Sequence, residues 1–267
     1  MEHDNKNTRY GFFFDEEKEK DFIFGSRKLP DDILQPDADW REYLPKEESQ
    51  VAFSRESFSW TVFTILNNIE ILHRRLYNEE INLSDNFLAT LAETQKNGGS
   101  NPRKVCDLLL DKGVPREHEF PFGEPFTREI PQEIYDFAKK FLEEYNFGYE
   151  KVPTENWETI REAAKRSPLL VSVYAWANPD GGSLFSRPEG ARDSHATTGI
   201  YFPDTYYTVF DSYGNPFLKD CSLQMKPMQA NRFWLEKKDS FPRVETPRRT
   251  PNTLKNFLRF LFPCYAK

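Results

Sequence analysis

Cysteine is scarce in this chain: three residues in 267, at Cys106, Cys221 and Cys264. They are widely separated, odd in number, and form neither a Cys-x-x-Cys pair nor a Cys/His cluster. That excludes the usual zinc spacings, so no metal site and no cofactor are expected. A disulfide framework would call for a larger, even count, which points to the cytoplasm or another reducing compartment. Cys106 lies among Val105, Leu108, Leu109 and Leu110 and reads as a small buried hydrophobe. No apolar run reaches the roughly 18 residues of a membrane span, so no membrane partner is expected. Residues 1–7 are polar and carry no apolar signal-peptide core. Basic charge is also short: 36 Lys and Arg stand against 43 Asp and Glu, a net charge of −7. Phosphate binding needs a basic face, so nucleic acid is not the expected partner. Pro247-Arg248-Arg249 is too short a run to supply one.

What the chain has instead is aromatic residues, 15% of the total with 24 Phe, enough to build a core despite 30% charged residues. From Trp60 onward, Val62, Phe63, Ile65, Leu66, Ile69, Leu72, His73 and Leu76 recur at helical spacing, and a wide-faced helix is predicted over 57–77. Ser84 suits the N-cap of a second helix running to about Thr94. Asn97-Gly98-Gly99 predicts a turn. A third helix fits 102–112 and stops at Gly113. Three prolines over 121–131 mark a loop between two halves. Pro131 then opens a helix carrying Ile134, Phe137, Ala138, Phe141, Leu142 and Tyr145. Another helix fits 154–166, capped by Thr154. Beyond it the period changes to that of strands: 169–174, then 195–202, then 205–213, the last two an antiparallel pair across Pro203-Asp204. Helices followed by strands make the chain α+β, with a cleft expected where the halves meet.

Six short stretches, in order, resemble the papain-like (C1-type) cysteine peptidases. They are Asp39-Trp40-Arg41, Leu83-Ser84-Asp85-Asn86, Asn97-Gly98-Gly99, Gly113-Val114-Pro115 with Phe120-Pro121-Phe122, Ser194-His195-Ala196, and Asp211-Ser212-Tyr213-Gly214. Their style resembles a divergent, phage-like or environmental branch. The resemblance implies a two-lobed fold: an N-terminal arm over 1–28, a helical lobe over 29–130, and a β-rich sheet or barrel lobe over 131–267. It also implies His195 as catalytic base, Asp211 in place of the usual asparagine that orients it, and Gln50 as the oxyanion-hole glutamine. Trp60, Gly98, Gly99 and Ser194 would line the substrate site. The ligand would be a peptide or protein in the cleft; oligomeric state is left open.

The family's His and Asn lie roughly 130–150 residues beyond its nucleophilic cysteine. No cysteine occupies that place here. Two registers compete. Matching Ser59-Trp60 to the family's Cys-Trp puts Ser59 at the nucleophile. Matching Phe63-Thr64 and Ile69-Glu70 without a gap puts Trp60 there, and it avoids rotating a helix by about 100° through one inserted residue. A serine hydroxyl will not ionise as a thiol does beside an imidazolium, so activity falls steeply in the first case and vanishes in the second. The expectation is a cysteine peptidase lacking its thiol, with Ser59, His195 and Asp211 as its catalytic set. The alternative is a pseudopeptidase that binds without cutting.

Overall fold

In the computed structural model, residues 22–25, 34–52, 55–123, 129–174, 184–187, 189–190, 194–213 and 216–238 are described. Most of the predicted arm, the loop residues 124–128, most of the loop before Ser194, Gly214 and the tail from 239 lie outside them.

The central element is α1, Trp60–Tyr77, which begins three residues later than predicted, after Ser59 at the N-cap. It ends where Asn78 turns left-handed and its N–H bonds back to Arg74, closing the last turn. The apolar pattern is so broad because α1 is enclosed: it packs between α4 (Pro102–Lys112), α2 (Asp85–Ala92) and the sheet. Ser84 caps α2 as expected, accepting from Phe87 N–H. That helix stops at Ala92 because Glu93 turns left-handed, and a single turn, α3 (Thr94–Asn97), follows. α4 matches its predicted limits, with Asn101 as cap and Gly113 at its end.

α5 spans Gln132–Glu144, with Pro131 at its cap, and stops one residue short of expectation. Tyr145 instead opens a strand, β3 (Tyr145–Val152). α6, Trp157–Ala164, is shorter than predicted because Asn156, rather than Thr154, caps it by accepting from Thr159 N–H. β4 (Leu169–Tyr174) falls as predicted, and β5 (Ser194–Tyr201) and β6 (Tyr206–Phe210) form the predicted antiparallel pair. β7 (Leu218–Ser222) and β8 (Gln229–Lys237) complete the sheet. A separate two-residue ladder joins β1 (Val51–Ala52) to β2 (Arg55–Glu56).

The main sheet is antiparallel throughout, in the order β3-β8-β4-β5-β6-β7. It is open, so the barrel alternative is corrected: β3 and β7 are edges, and each takes a single parallel bridge, Ile23 to Lys151 on one and Phe185 to Cys221 on the other. One sheet face joins the helices in a core built around Trp40, Trp60, Ile65, Ile69, Phe87 and Phe233. The opposite face closes against α6 around Ile160, Val171, Tyr207 and Val209. Trp40 spans the two, its N–H bonding to Ile200 O at 2.8 Å and its indole N–H to Ala164 O at 2.7 Å. Among the described residues, no helix is long and apolar enough to cross a membrane. Cys106 and Cys221 are both buried.

Candidate active site

β5 runs beside α1, so the start of the strand and the start of the helix meet. At that meeting His195 is buried and its Nε2 lies 2.7 Å from Asp211 Oδ1. Asp211 follows β6 and is itself fully enclosed. Its second oxygen, Oδ2, accepts from Lys219 Nζ at 2.8 Å. Burial by itself pushes the Asp211 carboxyl up, but His195 and then Lys219 outweigh it and hold the group below the usual carboxylate range. The carboxylate therefore stays charged without leaving an oxygen unpaired.

Aromatic rings close the histidine in. Tyr213 meets His195 edge-on with centroids 5.9 Å apart, and Trp60 does so at 5.5 Å. Phe58 packs edge-on against the same indole at 5.6 Å. Phe58 has a φ of 54°, a left-handed conformation unusual for a bulky residue.

The hydroxyl of Ser59 is taken up locally: Ser59 Oγ lies 2.5 Å from Ser57 Oγ, and both residues are buried. Its carbonyl accepts the first helical bonds, from Val62 and Phe63. Gln50 is brought to the site through Ser212, the residue after Asp211. Ser212 Oγ donates to Gln50 Oε1 at 2.8 Å, and Gln50 N–H reaches Ser212 O at 3.1 Å. The Gly98-Gly99 turn is tied to the helix start from both sides. Thr61 Oγ1 donates to Ser100 O at 3.0 Å, and Thr94 Oγ1 to Ser57 O at 3.0 Å. Ser194, the first residue of β5, is buried opposite Tyr174.

The structure thus gathers His195, Asp211 and Trp60 directly, brings in Gln50 through Ser212, and places Ser59, Gly98, Gly99 and Ser194 on the segments around them. Sequence reasoning missed Lys219. Its signal was faint: in β7 only Lys219 and Cys221 alternate inward, between exposed Leu218 and Asp220. Of the other histidines, His73 bridges Glu79 O and Tyr145 OH in the core, at 2.8 Å to each, and His118 is exposed on a turn.

No family profile matches the chain. It is 25% identical over 183 residues to Mexicain from Jacaratia mexicana, covering 66% of this chain and 81% of that protein. Among solved structures it is similar to Xylellain, a cysteine protease from Xylella fastidiosa, with a TM-score of 0.61 at 16% identity over 86% of this chain and 95% of the other. It is also similar to the bromelain protease from Ananas comosus in complex with the E64 inhibitor, with a TM-score of 0.54 at 18% identity over 74% of this chain and 98% of that one. The fold is that of the papain-like cysteine proteases.

Proposed function

We propose that this chain is a pseudopeptidase: a papain-fold protein that holds a peptide or a protein segment beside α1 and does not cleave it, because Trp60 occupies the nucleophile position. The observation that carries this reading is the contact of Trp60 with His195, 5.5 Å between ring centres. The backbone supports the same register. Papain-type enzymes carry Cys-Gly-Ser-Cys-Trp around the nucleophile. With Trp60 in the nucleophile's place, Ser59 matches the serine and Phe58 matches the glycine. Phe58 is the residue with φ 54°, a conformation that glycine adopts without strain. Ser59, for its part, spends its hydroxyl on Ser57 rather than on the imidazole. A hydroxyl in that bond, with an ordinary high pKa, is a poor substitute for a thiolate.

The test is a pair of substitutions, Trp60→Cys and Ser59→Cys, each with and without His195→Ala. Hydrolysis of fluorogenic peptides and binding of E-64 are the readouts. The unaltered chain is expected to retain peptides from a mixed library and return them intact. Trp60→Cys is expected to gain peptide cleavage that His195→Ala abolishes, and Ser59→Cys is not. Cleavage by the unaltered chain, lost with His195→Ala, would instead establish the peptidase reading with Ser59 as nucleophile.

A further inference from the structure

A buried carboxylate against a histidine ordinarily draws a proton onto the ring, because the imidazolium is the counter-ion the carboxylate lacks. Here the carboxylate already has one. Lys219 is 5% exposed, and its ammonium donates to Asp211 Oδ2 at 2.8 Å, to Pro216 O at 2.7 Å and to Tyr213 O at 3.3 Å. Fixing a lysine in this way, off its flexible stem and out of water, is costly unless its charge is matched, and Asp211 matches it. We propose that Lys219 is a positioning residue that acts through Asp211: the ion pair presents His195 with a hydrogen-bond acceptor of no net charge, electrostatically equivalent to an amide, so that the ring is oriented without being driven to its charged form. The inference concerns only these three side chains. It stands whether or not a nucleophile ever occupied the start of α1.

From α1, His195 faces the uncharged indole of Trp60; from the segment after β6 it faces Asp211 and Tyr213; across the ladder on β4 its partner is Val173. Asp211 faces His195, Lys219 and the Cys221 thiol, which burial and then the Asp211 charge push well up and so keep uncharged. Gln50 and Ser212, bonded to each other, add dipoles and no charge. Among the described residues, the His195 ring and the Lys219 ammonium are the two basic groups that bond to this carboxylate.

The experiment follows the ring signals of His195 by NMR across pH in histidine-labelled protein, assigned by their loss in His195→Gln. Removing the lysine charge in Lys219→Met is expected to raise the pH of half-titration of His195 by about one unit or more, a tenfold or greater gain in proton affinity. Asp211→Asn, which removes the carboxylate bonded to the lysine, is expected to lower it. The double variant Asp211→Asn/Lys219→Met, neutral at both positions, is expected to return to within about 0.3 unit of the unaltered chain, because the net charge beside the ring is again zero. Lys219→Arg, which keeps the charge, is expected to stay near the unaltered value. A Lys219→Met midpoint unmoved within about 0.3 unit would overturn the proposal, since a lysine that only packs would leave the ring's titration alone. Should Lys219→Met fail to fold, the comparison of Asp211→Asn with the double variant carries the test, and equal midpoints in those two would overturn it.

Discussion

The indole of Trp60 meets the imidazole of His195 edge-on, 5.5 Å between centroids, where the first helix packs beside β5. The same indole also holds Phe58 and is 1% exposed. Trp60 is therefore a structural plug as well as the group facing the histidine. Trp60→Ala should cost roughly 3–5 kcal/mol of stability, as truncation of a buried aromatic does when the site cannot collapse. Chemical denaturation checks this through a lower midpoint at unchanged slope. A loss under about 1 kcal/mol would mean that the ring is not packed against His195 as described.

Asp211 holds two buried partners with its two oxygens, so removing it takes an acceptor from each. Asp211→Ala should destabilise by roughly 3–5 kcal/mol, the range found when one member of a buried pair is deleted. Asp211→Asn should cost less, because an amide still accepts from His195. The carboxyl is held below its ordinary range, so its contribution is present above the unfolded pKa and is lost as pH falls through the lower folded value. Thermal unfolding followed down through the acid range should show Asp211→Asn less sensitive to acid than the unaltered chain.

Much of this arrangement was legible in the sequence, for reasons visible in particular residues. Ser84, Gly113 and the apolar run Leu169–Tyr174 are local signals, and the structure obeys them. His195 and Asp211 could be paired because the turn at Pro203-Asp204 folds β5 onto β6 and brings the ends of the two strands together. β3, β7 and β8 were not legible. β3 follows α5 with no intervening loop, and β7 reads Leu-Lys-Asp-Cys-Ser, too polar to signal a strand when its lysine is buried by an ion pair made elsewhere in the chain. The start of α1 lies three residues beyond the expected 57: the Ser57 hydroxyl is bonded to Ser59, and the helix waits for Trp60.

Gly113 ends α4 with a φ of 75°, and a Cβ built there would lie 2.0 Å from the backbone oxygen of Ala138 in α5. Both facts demand glycine: the conformation disfavours a side chain, and the neighbouring atom is backbone that cannot swing away. Gly113→Ala should therefore destabilise at the upper end of ordinary single substitutions, about 3 kcal/mol. Gly98, also at positive φ but with open space around its missing Cβ, should tolerate alanine better. Comparing the denaturation midpoints of the two variants separates the steric effect from the conformational one, and equal losses would show that contact with α5 is not what requires glycine at 113.

Glu70, Asp85 and Glu117 lie together near the start of α2, and burial is the main cause raising all three above the usual carboxylate range. For Glu117, the N–H of Phe122 opposes the rise and the Glu48 charge adds to it, leaving the group at about 7. A folded pKa above the unfolded one means that the native state binds the extra proton. The stability linked to this carboxyl is complete below the unfolded value near 4.5 and is lost as pH climbs to about 7. Glu70 and Asp85 act in the same sense, each raised well above its ordinary value. The melting temperature should consequently fall between about pH 4.5 and 7, opposite to the acid sensitivity that Asp211 confers lower down. Glu117→Gln keeps an acceptor for Phe122 and removes the titration, so its melting temperature should vary less across that window. A variant whose pH profile runs parallel to that of the unaltered chain would show that Glu117 is already ionised throughout the window and takes no part in this loss.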